Sequence, residues 1–357
     1  MNILVINCGS SSVKYKFFRL PQEELISKGS IDRIGEKGSF IKNHRQALEK
    51  ILEEIKDVEA IGHRVVHGGE QFQEPVVIDQ KVIRKIKTCC NLAPLHNPAN
   101  LDGIRACGDI LKNIKQAAVF DTAFHQSLPE KAFVYGLPYR FYKNYKIRKY
   151  GFHGTSHHYV AGEAAQKLNQ NIARVNLITC HLGNGCSITA IKNGKSVDTS
   201  MGFTPLEGVM MGTRCGDIDP AVVTYLIEQK KMPPADVDRL LNRESGLKGI
   251  SGISNDMRKI LQSADKGNQR CKLAIEMFVY RIRKYISAYL GILGKTDALV
   301  FTAGIGENQP RIVKMISEGL FDNLKIKPKI MVISTDEELM IARQTYRIVR
   351  KYTGDHR

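Results

Sequence analysis

The side chains most able to do chemistry in this chain stand in short runs of small residues. Three such runs, Gly9-Ser10-Ser11-Ser12, Gly183-Asn184-Gly185 and Gly304-Ile305-Gly306, each follow an apolar stretch that reads as a strand. Small residues let backbone N–H groups come close to phosphate oxygens, so three glycine-rich turns suggest a nucleotide. None matches G-x-x-x-x-G-K-[ST] or G-x-G-x-x-G, which disfavours a P-loop or a dinucleotide fold.

Two arginines lie among glycines, Arg64 in Gly62-His63-Arg64 and Arg214 in Gly212-Thr213-Arg214. Their rigid forks suit carboxylates and phosphates. Asp121, Asp217 and Glu337 stand at element ends and are candidate ligands for a hard cation. Asp217 reads equally as a turn residue, and Glu337 as a partner of a helix dipole. Eight of the ten histidines fall between His63 and His181. His63/His67 and His153/His157 have the four-residue spacing that would share a helix face and bind zinc. Flanking glycines make both stretches poor helices, so that reading is disfavoured.

The elements that must position these groups follow from the pattern. Ile3–Ile6 and Val13–Phe18 read as a hairpin joined through Gly9–Ser12. Helices are expected at 43–55 and 99–114, the second with Asn97 as cap and Pro98 in its first position. A strand Ala117–Phe120 ends at Asp121. After Gly151 the pattern restarts: Leu177–Cys180, a small-residue turn, Ile188–Ile191, then a turn at Asn193-Gly194. Gly9 and Gly183 occupy equivalent places, which suggests two related halves. An amphipathic helix over Gln269–Leu293 precedes a strand Ala298–Thr302, which runs into the turn Gly304–Gly306. The last helix is expected after Thr335, with Thr335 and Glu338 forming a capping box.

Composition narrows the class. A chain of 357 residues, 43% hydrophobic and 25% charged, fits about two globular domains. No apolar run approaches membrane-spanning length, and the N-terminus lacks a basic, signal-like segment. The net charge of +17 favours anionic partners. Without a basic block or a nucleic-acid motif, nucleic acid is disfavoured. Eight cysteines without a C-x-x-C pair read as reduced cytoplasmic thiols, and offer no clustered zinc site.

Taken together the motifs resemble the acetate kinases of the acetate and sugar kinase/Hsp70/actin superfamily. The matching stretches, in family order, are Val5–Lys14, Gly62–Gly69, Ala93–Pro98, Phe120–His125, Tyr150–His157, His181–Gly185, Met201–Gly208, Gly212–Arg214, Phe301–Asn308 and Glu337–Leu339. The resemblance implies an α/β protein of two ribonuclease-H-like (actin-like ATPase) domains, with mixed sheets flanked by helices and a cleft between them. The expected division is 1–149 with about 339–357, and 150–338. It also implies a homodimer, a cytoplasmic location, and ATP, Mg²⁺ (or Mn²⁺) and acetate as reactants, with acetyl phosphate and ADP as products.

Carried over by position, Asn7, Asp121 and Glu337 would organise the metal, and Asp121 would also be catalytic. Arg64 and Arg214 would hold the carboxylate and the transferring phosphoryl group, and His153 would donate to that group in the transition state. Ser10, Ser12 and His96 would support the phosphate path. Lys14, His181, Leu182, Gly183, Asn184, Gly185, Gly304, Ile305, Gly306, Glu307 and Asn308 would bind the nucleotide. Val66, Leu95, Phe152 and Pro205 would shape a small apolar pocket for the substrate methyl group. A propionate or butyrate kinase, and an inactive nucleotide-binding relative, are the competing readings. The chain is shorter than the family norm near 29–43 and 319–334, and the resemblance does not account for its basic charge.

Overall fold

The computed structural model describes residues 1–94 and 96–354. It divides into two compact units, Met1–Gln126 with Gly154–Tyr159 and Asp336–Arg357, and Ser127–His153 with Val160–Thr335.

The first unit is built on six strands: β1 (Asn2–Cys8), β2 (Ser12–Arg19), β3 (Glu24–Asp32), β4 (Ala60–Val65), β5 (Val76–Val77) and β6 (Lys115–Phe120). Their order is β3-β2-β1-β4-β6-β5. The expected hairpin is present: β1 pairs antiparallel with β2 from Asn2↔Arg19 to Cys8↔Val13, and lies parallel to β4, which lies parallel to β6. Alternation along β1 sends Leu4 and Ile6 to one face of the sheet and Ile3 and Val5 to the other. The first pair packs with Leu48 and Ile51 of the helix His44–Glu54 and with Cys107 of the helix Asn97–Ile110. The second packs with Ile341, Ala342 and Val349 of the helix Glu337–Thr353. A strand covered on both faces must be apolar throughout, which is why Ile3-Leu4-Val5-Ile6 shows no polar alternation.

The second unit has five strands: β7 (Leu177–Leu182), β8 (Cys186–Lys192), β9 (Lys195–Thr199), β10 (Ala298–Thr302) and β11 (Lys329–Val332), ordered β11-β10-β7-β8-β9. β7, β8 and β9 pair antiparallel in sequence, whereas β10 and β11 run parallel to β7 and to each other. This repeats the β3-β2-β1-β4-β6 arrangement strand for strand, as the likeness of the Gly9 and Gly183 turns led one to expect. The helix Gln269–Leu293 buries Ala274, Ile275, Phe278, Val279, Ile282 and Ile286, the three-and-four rhythm of an apolar stripe. It packs against β8 and the helices Gly246–Ser251 and Met257–Asp265. Among the described residues no helix is long and apolar enough to cross a membrane.

Several local expectations change. Residues 127–149 group with the second unit, and 154–159 and 336–338 with the first, so the division differs from one drawn at 149/150 and 338/339. Polar ties explain the first shift: Ser127 Oγ donates to the Ser196 carbonyl, Lys149 Nζ to the Thr199 carbonyl, and Tyr150 N to the Gly202 carbonyl. A helix does form over Gly154–Lys167, despite its glycine. Gly154 occupies the first position and donates its N–H to the Asp121 carbonyl at 2.9 Å. A Cβ there would stand 2.2 Å from that oxygen, so close approach requires glycine. Ala303–Asn308 is a short helix entered directly from β10, not a turn. Asn97 is the first residue of its helix rather than the cap. Asp336, not Thr335, caps the last helix, accepting from Leu339 N at 2.9 Å.

Candidate active site

In the first unit the chemistry gathers at the C-terminal ends of the central strands. Asn7 is near the end of β1, Arg64 near the end of β4, Asp121 directly after β6, and Glu337 opens the last helix. Arg64 binds Asp121 through both arms of its fork, Nε to Oδ1 at 3.2 Å and Nη2 to Oδ2 at 2.5 Å. Its Nη1 donates to Asn7 Oδ1 at 3.4 Å, and its Nε lies 3.9 Å from Glu337 Oε2. Asp121 is 2% exposed and also accepts from Thr155 Oγ1 at 3.1 Å. Burial alone would lower the Arg64 pKa, but Asp121 and Glu337 reverse the sign and hold the guanidinium charged. Burial pushes the Glu337 carboxyl up to about 7, with Arg64 opposing and Asp121 reinforcing the shift.

This donor set can be tested against a hard cation. Asn7, Asp121 and Glu337 offer only oxygen, and two carboxylates around a single guanidinium leave a surplus of negative charge that a cation would relieve. Among the described residues no group of three His, Cys, Asp or Glu could hold a metal alone. Two carboxylates and an amide oxygen fit a cation such as Mg²⁺, which takes one or two carboxylates and fills its octahedron with water and phosphate oxygens.

Around this set, Lys14 pairs with Asn7 across the β1–β2 hairpin and is exposed. Ser10 lies in the turn and Ser12 opens β2; Gly9 N donates to the Ser12 carbonyl and His44 Nε2 meets the Gly9 carbonyl at 2.7 Å. Val66 is buried just beyond β4, and His96 is exposed before the helix Asn97–Ile110. Leu95 lies outside the described residues. Sequence reasoning missed Asn100 and misassigned Asn97. Asn97 Oδ1 accepts from His67 N and its Nδ2 donates to the His67 carbonyl, while Asn100 Oδ1 accepts from Val66 N. The usable signal was their i, i+3 spacing on one helix beside an Ala-Pro-Leu-His-Asn-Pro motif.

The second unit assembles a different set. His153 precedes the helix Gly154–Lys167 in the left-handed region, φ 57°, a conformation costing a non-glycine residue roughly 1 kcal/mol. Its Nδ1 shares a hydrogen bond with Ser187 Oγ at 2.9 Å, and its ring stacks on His181 with centroids 4.1 Å apart. His181 pairs with Ser187 across the β7–β8 hairpin, as Asn7 pairs with Lys14 across β1–β2. Ser187 could have been found by laying one hairpin on the other.

Arg214 joins this group. A Cβ at Gly185 would lie 3.3 Å from His153 Nε2 and 3.4 Å from Arg214 Nη1, so the missing side chain keeps a notch clear between imidazole and guanidinium. Arg214 Nη1 donates to the Pro205 carbonyl at 3.1 Å, and among the described residues the guanidinium has no carboxylate partner. Burial lowers its pKa, with Cys186 opposing. Asn184 accepts from Gly212 N through its carbonyl and from Asn255 Nδ2 through Oδ1. That ties the Gly183–Gly185 turn to the strand of chain bearing Arg214.

The remaining predicted residues take several positions. Gly304 faces open space, and Gly183 would bring a Cβ within 3.7 Å of Ala303 Cβ, so the two glycine segments are neighbours. Glu307 turns inward: its Oε1 accepts from Ala303 N at 2.7 Å, Thr302 Oγ1 at 3.2 Å and Thr335 N at 3.1 Å. Asn308 Nδ2 donates to the Gly304 carbonyl. Leu182 is wholly buried, Ile305, Gly306 and Phe152 are buried, and Pro205 is partly exposed. Asp217 is a turn brace, taking Gly208 N and Tyr285 Oη on its two oxygens.

The two sets can now be placed among known proteins. A family model described as the Acetokinase family matches residues 43–322. An acetate kinase of Acetivibrio thermocellus is 48% identical, covering 98% of this chain and 100% of that one. The crystal structure of Porphyromonas gingivalis acetate kinase superposes with a TM-score of 0.92 at 41% identity, covering 98% and 99%. A propionate kinase from Francisella tularensis subsp. tularensis superposes at 0.91 with 42% identity, covering 97% and 99%. With a family match across most of its length and likeness to these relatives from end to end, the chain belongs to the acetokinase family.

Proposed function

We propose that the chain transfers the terminal phosphoryl group of ATP to acetate, giving acetyl phosphate and ADP, and catalyses the reverse. Family membership and 48% identity to an acetate kinase support the reactants. The observation that carries the chemistry is Arg214, a guanidinium without a carboxylate partner facing His153 across the side-chain-free position of Gly185.

Acetate is ionised at neutral pH, because its pKa lies near the value of about 4 for Asp and Glu, so it needs no strong base. The difficulty is to bring one anion up to another. Arg214 and Arg64 neutralise the carboxylate and the transferring group, and His153, oriented by Ser187, donates a hydrogen bond to the phosphoryl oxygens as their charge shifts. A carboxylate oxygen forms the new P–O bond as the bond to the bridging oxygen breaks, and ADP leaves with the electron pair. Asp121 keeps Arg64 charged and aimed. The His181–Gly185 turn and the Gly304–Gly306 segment hold the nucleotide. Asn7, Asp121 and Glu337 hold a divalent cation, Mg²⁺ or Mn²⁺, which when bound supplies positive charge to the phosphates. Val66, Phe152 and Pro205 bound the acyl group.

Trapping acetyl phosphate as hydroxamate tests this reading. Product is expected with ATP, Mg²⁺ and acetate, and none once EDTA exceeds the metal. Absence of product under full conditions would contradict it. One methylene is worth about 1–3 kcal/mol in such a pocket, so propionate should be used less efficiently and butyrate far less. A higher kcat/KM for propionate would favour the propionate-kinase reading, to which the likeness to the Francisella enzyme lends weight. We further place the reaction in the cytoplasm, where eight free thiols stay reduced. A homodimer is supported by Leu273 and Tyr280, exposed seven residues apart on one helix, and light scattering would test it.

A further inference from the structure

In the first unit, the β1–β4 ladder pairs residues only from Ile3↔Ala60 to Ile6↔His63. Asn7 and Arg64 stand just past its last pair. The sheet holds each of them on its other side, Asn7 opposite Lys14 and Arg64 opposite Val119, and Arg64 Nη1 reaches Asn7 Oδ1. Past the last pair of this ladder the two strand ends are braced from outside the sheet, for the helix Asn97–Ile110 lies against both β1 and β4.

The contact is made by one amide. Asn100, 3% exposed, accepts from Val66 N at 3.1 Å through Oδ1 and donates to the Cys8 carbonyl at 2.7 Å through Nδ2. Cys8 follows Asn7, and Val66 lies two residues after Arg64. The bridge uses two separate atoms, a carbonyl acceptor and an amino donor, which a carboxamide offers and a shorter hydroxyl on a single oxygen does not. One turn earlier Asn97 holds His67 in the same manner. One turn later Gly103 lets the helix approach: a Cβ there would stand 2.4 Å from Cys8 Sγ and 3.4 Å from Cys8 Cβ. Asn97, Asn100 and Gly103 recur every three residues on one face, so the helix is a template pressed against the strand ends.

From this geometry we propose that Asn100 is a positioning residue for phosphoryl transfer. Its amide sets the spacing of Asn7 and Arg64, and with Val66 it fixes one wall of the acyl site. The assignment rests on the kinase reading above. It predicts that losing the amide lowers kcat through Arg64, rather than by lowering the amount of folded enzyme.

The experiment measures hydroxamate formation, normalised to folded protein by thermal melting, for Asn100→Ser in two backgrounds. In the wild-type background kcat should fall about 10- to 100-fold with little change in KM for ATP, as expected when a reacting group is misplaced. In an Arg64→Ala background the same change should cost less than about threefold, because its target is gone. Equal losses in both backgrounds, or an undiminished kcat, would overturn the proposal.

Gly103→Ala supplies a second route that leaves the amide in place. It should lower kcat by pushing the helix off Cys8, and Gly103→Ala with Cys8→Ala should recover to within about threefold of Cys8→Ala alone. Failure of the second change to restore turnover in a folded protein would also count against the template. If wild-type protein forms no hydroxamate, the kinase reading itself fails and this assignment with it. An active wild type with an equally active Asn100→Ser variant sinks only the assignment.

Discussion

The two units repeat one arrangement of five strands but surround their arginines differently. At the end of β1 stands Asn7, opposite Lys14; at the end of β7 stands His181, opposite Ser187. In the first unit the arginine is fixed in place, held by Asp121, Asn7 and the nearby Glu337. In the second, Arg214 meets a backbone carbonyl and a cleared notch. The strain differs too. Left-handed residues of the first unit such as Arg33 and Asp57 lie in connections, whereas His153 and Ala303 lie beside the glycine turns of the second. Topology thus fixes where a functional side chain stands, and the local charge count fixes what it can do. A guanidinium gripped by a carboxylate is aimed by it and keeps two N–H donors for a ligand, whereas Arg214, with no carboxylate partner among the described residues, carries its charge unpaired.

The sharpest way to break this contrast is to remove each arginine in turn. Both Arg64→Ala and Arg214→Ala should lower turnover by about 100-fold or more. Their melting should separate them. Arg64→Ala leaves Asp121 buried without its main cation and should cost roughly 2–3 kcal/mol, while Arg214→Ala orphans no carboxylate and should melt close to wild type. Equal destabilisation by the two would erase the distinction. Calorimetry on both variants decides it.

A smaller effect is expected at the notch. Gly185→Ala adds a methyl group that presses on His153 and Arg214, and should reduce kcat about tenfold at near-normal stability. Gly9→Ala, at the corresponding hairpin turn, meets chiefly the movable Ser12 hydroxyl. Its cost should be only a few-fold by the same assay. If the order were reversed, the second unit would not be where the anion is met.

Acid should also tell the units apart. Burial pushes both His63 and His67 of the first unit down to about 4 from an ordinary 6.5; at His63 the Gln116 amide opposes the shift. Their folded pKa is depressed, so their contribution is complete above pH 6.5 and is lost as pH falls toward 4. Each should cost roughly 2 kcal/mol between pH 6.5 and pH 5. In the second unit burial raises Asp198, with Lys149 opposing; a raised carboxyl favours the folded state as pH falls, as Glu337 does in the first unit, where it offsets about half of the loss at the two histidines. Hydrogen exchange at pH 7 and pH 5 should show amides of β1 and β4 losing protection before those of β7 and β8. Loss of protection in the reverse order would show that other groups govern acid stability.

Much of this was legible in the residues. The run Ile3–Ile6 and the apolar stripe of Gln269–Leu293 are strong local signals that packing merely completes, and the latter helix has the expected bounds. The kinship of the two hairpins could be read from Gly9 and Gly183, because both turns need a small residue at the same point. What escaped reading depends on partners distant in sequence. Gly154 looks like a helix breaker until the Asp121 carbonyl is placed against it. Gly304 and Gly306 look like a turn until Glu307 is seen capping Ala303. Asn100 offered only its spacing from Asn97 as a signal, since its two partners lie 34 and 92 residues away. The proposed site residues were taken from motif order; why each stands where it does required the fold.

The central claim is that Arg214 contributes an uncompensated positive charge to the transferring group. Its most direct test is the rate of hydroxamate formation by Arg214→Ala with and without free guanidinium. The account predicts a turnover reduced about 100-fold and raised several-fold by tens of millimolar guanidinium, which can enter the emptied space. Turnover of the unsupplemented variant within about threefold of wild type would contradict it.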